Sequence, residues 1–443
     1  MAQELITDVD VHDVMVRVLS HFFPGARYSC PPELDLPAGR GFFRVPYDGK
    51  IAEPRAVLAV DIEKAGPLQA KPAQRFLATV PGKIVRDAHG GEAVGGYGSC
   101  VSVQDISAGH LKFDDQLVSE HVVPETARYD RGQRDVRETL ALLFKFLRLA
   151  SEHRYESEPP EISLILRREK KRRKHESLGL VSLDLFGSVK AALTLGSEGA
   201  AAFAVTSDGT LEDVIPLPCA ANRLRVPTRL SALAALSVRG GAICVHLDRT
   251  PSICVMARGV CRFRYMNGRW GWLAHERFMK RMPNKHVGFK TLRLALDLCD
   301  TGSGAILVLV DREKHGKRIQ QIANPECTPV LFGREEDLPP AVSKTRGQFN
   351  RWLMRGEYTL DNTPWEFLLN LCRVDGATFI DRNDGRVLGY GAVVKVPRSA
   401  AEQGARTTAA RYLATQFGAA VKVSEDRIAM LFEKEEGPPC RIW

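Results

Sequence analysis

Apolar and polar positions change their spacing several times along this chain, and each change marks a predicted element. "HDVMVRVLSHFF", His12 to Phe23, has the helical spacing, with Val11, Val14, Met15, Val18, Leu19 and Phe22 on or near one side. "RAVLAVDI", Arg55 to Ile62, reads as a strand. "RDVRETLALLFKFLRLA", Arg134 to Ala150, predicts a helix, and polar "SEHRYESEPPE" breaks it, where Pro159 and Pro160 favour extended geometry. Further helices are expected over "RLSALAALSV", "FKTLRLALDLC" and "TPWEFLLNLC". In the last, Trp365, Leu368, Leu369 and Cys372 follow the helical period, Thr363 is a candidate cap and Pro364 takes the first helical position.

Between these helices, four segments place small residues before a buried strand and a polar turn after it. They are "SEGAAAFAVTSDG" (Ser197 to Gly209), "RGGAICVHLDR" (Arg239 to Arg249), "GSGAILVLVDR" (Gly302 to Arg312) and "VDGATFIDRNDG" (Val374 to Gly385). Two readings fit them equally: duplicated sheet units, or similar turns within one architecture. Alternating strands and helices predict a mixed α/β fold. It divides into an N-terminal α/β region over 1–155, a middle α/β region over 156–285 that is a candidate pseudodomain, and a C-terminal mixed-sheet domain over 286–443. A simple dinucleotide-binding unit is not expected, because no Gly-x-Gly-x-x-Gly turn follows a strand. The glycine-rich "HGGEAVGGYGS", His89 to Ser99, lacks the lysine and hydroxyl of a phosphate loop and reads as a flexible turn.

Composition narrows the class without naming a function. The chain has 443 residues, 44% hydrophobic and 26% charged, enough to build two or three cores. A net charge of +9 suits polyanions without choosing among them. Part of the excess sits in "RREKKRRK", where Arg167, Arg168, Lys170, Lys171, Arg172, Arg173 and Lys174 carry seven cations in eight positions. That run is compatible with a solvated loop or helix end, with weak sequence-blind polyanion contact, and with a targeting signal. None of the ten cysteines forms a close Cys-x-x-Cys pair, and Cys244, Cys254, Cys261, Cys299 and Cys372 lie in or beside apolar runs. Buried free thiols in a reducing compartment are expected. With no signal-like N-terminal segment and no apolar stretch of about 18 residues, the expectation is a cytoplasmic protein without a membrane partner.

The chemistry concentrates after Asp361. Gly376 permits close backbone approach at a strand start, Asp384–Gly385 supports a tight hairpin, and Asp375 stands at the strand edge, where a carboxylate reaches a ligand or metal. In "GARTTAARYLATQF", Ala409, Ala410, Leu413, Ala414 and Phe417 form one apolar face. That puts Gly404, Ala405, Arg406, Thr407 and Thr408 at the helix start, where free N–H groups and the helix dipole favour a phosphate. Blander roles stand beside these: a helix cap for Thr407 or Thr408, a turn residue for Asp375, a strand end for Ser424 and Glu425.

Taken in order, the segments closely resemble the diadenylate cyclase domain, the nucleotide-binding domain of the DNA-integrity-scanning protein DisA and its relatives. The family's "DGA" is Asp375-Gly376-Ala377. Its glycine-led "GTRHRAA" turn matches at Gly404, Arg406, Ala409 and Ala410, and its "VSEE" segment is Val423 to Asp426. The ordered match covers roughly the last hundred residues, and the N-terminal half is not explained by it. The resemblance implies nucleotide contacts from Gly376, Ala377, Gly404, Ala405, Arg406, Thr407, Thr408, Ser424 and Glu425. It further implies a metal-binding and 3′-hydroxyl-activating role for Asp375, with Mg2+ or Mn2+ and ATP. Two ATP molecules on facing domains would give cyclic di-AMP, so a cyclase requires a homodimer or an internal substitute.

Thr407 and Thr408 stand where the family has a histidine and a second arginine. A hydrogen bond from a charged donor is worth about 1.5–3 kcal/mol, so losing two weakens transition-state stabilisation by orders of magnitude. Lys395, Arg398 and Arg411 are candidate replacements. The leading expectation is therefore a nucleotide-binding sensor; an active cyclase and a nucleic-acid-associated protein are the alternatives.

Overall fold

The computed structural model describes residues 22, 28–29, 42–46, 57–61, 111–125, 133–152, 160–167, 181–182, 201–207, 209–217, 224–239, 242–322, 330–331, 358–397, 404–434 and 439–443. The architecture is mixed α/β, and the chain forms two compact units, Met1–Leu273 and Ala274–Trp443.

The first unit opens with β1 (Tyr28–Ser29), β2 (Phe42–Pro46) and β3 (Val57–Asp61), paired antiparallel in the order β1-β3-β2. Helices α1 (Leu111–Glu125) and α2 (Gln133–Glu152) follow. The main sheet comprises β4 (Ile162–Leu166), β5 (Val181–Ser182), β6 (Ala201–Val205), β7 (Thr210–Pro216), β8 (Ile243–Asp248), β9 (Ser252–Ala257), β10 (Val260–Met266) and β11 (Arg269–Trp272). Helix α3 (Ser231–Arg239) precedes β8 and packs on β8 and β9. β11 pins the two early helices to the sheet. Trp270, fully buried, donates its indole N–H to Asp115 Oδ1 of α1 at 2.8 Å, and the same carboxylate accepts from Arg148 of α2 at 2.7 Å. The Phe144 ring of α2 lies 4.8 Å from that indole. Of the helix expected over His12 to Phe23, only Phe22 is described; it is buried and packs edge-on against Phe263. The His89–Ser99 turn lies outside the described residues.

In the second unit, α4 (His275–Arg281) and α5 (Lys285–Asp300) lead into β12 (Ala305–Val310). α6 (Arg312–Ile322), β13 (Val330–Leu331), α7 (Trp365–Arg373), β14 (Ala377–Asp381) and β15 (Val387–Ala392) come next. α8 (Ala405–Phe417), β16 (Ala419–Val423), β17 (Ala429–Glu433) and β18 (Cys440–Arg441) complete it. The sheet order is β13-β15-β14-β12-β16-β17-β18. β12 is central and wholly buried, which is why its sequence "AILVLV" runs apolar without alternation. Ile306, Val308 and Val310 on one face meet Ala410, Leu413, Ala414 and Phe417 of α8 in a common core with Phe379 and Phe432. The opposite side is served by α5 and α7, with Trp365 donating to Asp297 Oδ2 at 2.7 Å.

One local expectation changes. Thr363 does not cap α7: Pro364 occupies the N-cap without a side-chain bond, and the Thr363 hydroxyl instead accepts from the Thr359 N–H at 3.1 Å. The Asp361–Thr363 turn before the helix competes for that hydroxyl and wins it. The hairpin at Asp384–Gly385 forms with Gly385 at φ 77° and its N–H on the Asp381 carbonyl at 2.9 Å.

Apart from the extra β11, the two large sheets have the same design. The first reads β5-β7-β6-β4-β8-β9-β10-β11 when written in the direction of the second. In each, one neighbouring pair is parallel, β4 with β6 and β12 with β14, and the other pairs are antiparallel. A helix precedes the matching strands β8 and β16, and another precedes β4 and β12. The Ser197–Gly209 and Val374–Gly385 segments therefore carry corresponding strands, β6 and β14. Among the described residues, no helix is long and apolar enough to cross a membrane.

Candidate functional site

A cavity of about 460 Å³ opens in the second unit between the starts of β12 and β14, the end of β15 and the first turn of α8. Its walls are Gly304, Ile306, Asp375, Gly376, Ala377, Ala392, Val393, Val394, Val396, Ala405, Arg406, Thr408 and Ala409. Most of that surface is apolar, with one carboxylate and one guanidinium at the rim. The size is that of a small-molecule pocket.

Backbone geometry creates the space. Gly376 has φ 120°, and a Cβ there would come within 2.5 Å of the Gly391 carbonyl carbon and 2.7 Å of the Ala392 nitrogen. Only glycine lets β14 start so close to β15. Gly304, just before β12, has the Arg406 guanidinium lying where a Cβ would project. Gly404 is the N-cap of α8 with φ 84°, and as a glycine it has no side chain to cap that end. Ala405, Arg406, Thr408 and Ala409 of this 13-residue helix line the cavity, which sets the N-terminal end of α8 beside it.

Electrostatics at the mouth are nearly balanced. Arg406 donates to Glu425 Oε1 at 2.6 Å, with side chains 42% and 68% exposed. Lys422 of β16 donates its ammonium to the Thr407 hydroxyl at 2.8 Å. A cation thus stands beside Thr407. Asp375 is exposed at the end of the α7–β14 connection.

The structure brings Asp375, Gly376, Ala377, Ala405, Arg406 and Thr408 into one wall. Gly404 and Thr407 belong to the same helix end without lining the cavity. Ser424 and Glu425 sit in the turn after β16; Glu425 joins through Arg406, whereas the Ser424 hydroxyl pairs with Asp426 Oδ2 at 3.2 Å. Of the candidate replacement cations, Lys395 is exposed, Arg411 stacks 5.5 Å from the Phe432 ring, and Arg398 lies outside the described residues. Sequence reasoning missed Gly304, the Val393–Val396 wall and Lys422. A lysine interrupting the apolar "AAVKV" was the available signal for the last. Of the basic run, Arg167 alone is described, its N–H on the Val205 carbonyl at 3.0 Å; Arg168 to Lys174 lie outside the described residues.

Asp375 supplies one carboxylate, too little for a protein-held metal cage. Among the described residues no group of three or more His, Cys, Asp or Glu could hold a metal. The six described cysteines are buried thiols; burial pushes those of Cys244, Cys372 and Cys440 up to about 12, so these three are unreactive at neutral pH. No protein-family model matches the chain, and no curated protein matches it significantly.

Proposed function

We propose that the second unit is a divergent diadenylate-cyclase-like domain and that the protein is a nucleotide-binding sensor. The supporting observation is the glycine-built cavity, lined by the start of α8 with Arg406 together with apolar residues of β12, β14 and β15. An adenine or related base would lie on Ile306, Ala377 and Ala392. A phosphate would meet the α8 N–H groups, Arg406 and the Thr408 hydroxyl, exchanging Glu425 for itself on the guanidinium.

Equilibrium binding of ATP and cyclic di-AMP to the full chain tests this. Arg406→Ala should weaken binding at least about tenfold, the size of a lost charged hydrogen bond. A wild-type chain that binds neither at millimolar concentration would refute the assignment.

Active cyclisation of ATP is the second reading, favoured by Asp375 in the cavity wall. Its test is mass-resolved product formation with Mg2+ or Mn2+. Cyclic di-AMP and pyrophosphate, lost in a folded Asp375→Asn chain, would make the protein a cyclase; intact ATP beside measurable binding would leave the sensor.

A further inference from the structure

The corresponding place in the first unit is filled from within. Glu161 immediately precedes β4 as Gly304 immediately precedes β12, and Arg229 leads into α3 as Arg406 begins α8. Where Arg406 rests on a glycine, Arg229 meets a carboxylate. It donates to Glu161 Oε1 at 2.6 Å and reaches Asp248 Oδ1 at 3.0 Å. Arg249 holds Glu161 Oε2 at 3.3 Å. The strand registers agree: Ser163 opposes His246 on β8, as Ile306 opposes Lys422 on β16. His246, fully buried, accepts from Arg229 at 3.2 Å and bonds the Ser163 hydroxyl at 3.0 Å. The Glu161 and Asp248 side chains are only 4% and 3% exposed.

Arg229 is 27% exposed but its fork lies on two buried carboxylates, and carboxylate and phosphate offer it the same paired oxygens. We infer that the first unit is a second copy of the nucleotide-binding fold whose phosphate position on Arg229 is held by Glu161, leaving the cavity of the second unit as the open site among the described residues. The comparison with a phosphate site rests on the function proposed above; the anion position on Arg229 does not. With a glycine at the start of the central strand, Arg406 is left to an exposed partner, Glu425, that a ligand can displace, whereas a glutamate there gives Arg229 a buried one.

Removing Glu161, the nearer of the two carboxylates on Arg229, should create a demand for an external anion. In the full-length chain, Glu161→Ala should lower the thermal midpoint. Inorganic pyrophosphate should then protect α3 and β4 amides from exchange at concentrations at least tenfold below those needed for wild type. Adding Arg229→Ala should abolish that response. Glu161→Gln, which keeps the volume and removes the charge, carries the same comparison if alanine unfolds the unit. Equal responses of wild type and variant, or a response surviving without Arg229, would overturn the inference. Pyrophosphate rescue in a chain that binds no ATP or cyclic di-AMP would uphold the internal anion while refuting the nucleotide function, so the two failures are distinct.

Discussion

At the residue scale, single positions decide whether the pocket exists and how the first unit tolerates acid. Gly376→Ala must place a Cβ against the β15 backbone at a φ that L-residues rarely adopt. It should cost about 1–3 kcal/mol and be read as a lower denaturation midpoint. His246 is neutral because burial, reinforced by Arg229, brings its pKa down to about 3. Its hydrogen bonds fit that state: Nε2 accepts from Arg229, so Nδ1 carries the proton toward Ser163. The unfolded imidazole titrates near 6.5 and takes up a proton on unfolding, so stability should fall as pH drops from about 6.5 toward about 3. The slope is about 1.4 kcal/mol per pH unit. Glu161, Asp248, Arg229 and Arg264 all face this ring. Glu161 is itself pushed upward by burial and so opposes the trend at low pH. Subtracting the urea stability of His246→Asn from that of wild type between pH 6.5 and 4.5 isolates the imidazole, and identical slopes would refute its role. The apolar run "AICVHL" made His246 legible as an interior residue, but its partners lie 17 and 83 positions away and were not readable from it.

At the element scale, α8 joins core to site. Its apolar face was legible because the spacing of Ala410, Leu413, Ala414 and Phe417 is local, and the four are buried against β12 and its neighbours. Phe417→Ala should cost about 3–5 kcal/mol and loosen the helix start with it, measured by denaturation and by exchange of the α8 amides. The polar end was legible in kind only. Arg406 and the threonines marked a candidate anion site, while the Arg406–Glu425 pair and the Lys422–Thr407 bond depend on β16 pairing beside β12. Glu425→Gln should free the guanidinium and tighten ATP by up to about fivefold, the worth of an exposed ion pair, in a titration at low salt. Thr363 was misread for the opposite reason: cap signals assume the hydroxyl is uncommitted, and the turn starting at Thr359 takes it.

At the scale of the whole molecule, each unit carries its own core and should report damage separately. Phe379→Ala should cost about 3–5 kcal/mol and raise exchange in β12, β14 and α8, leaving β4, β8 and β9 peptides near their wild-type protection. Equal loss across both would show one cooperative unit. The sequence by itself determined the α/β class, the positions of the described strands and helices with strong periodicity, the burial of the described cysteines and the glycine, aspartate and arginine of the candidate site. These follow from local spacing and composition, which a chain displays without folding. Tertiary structure alone decided the common strand order of the two large sheets, the cavity between four separate segments, and the glutamate that meets Arg229 where Gly304 underlies Arg406. Strand order and charge pairing are relations between residues far apart in the chain. Glu161 and Arg229, 68 positions apart, become partners only when β4 and β8 pair and carry them together.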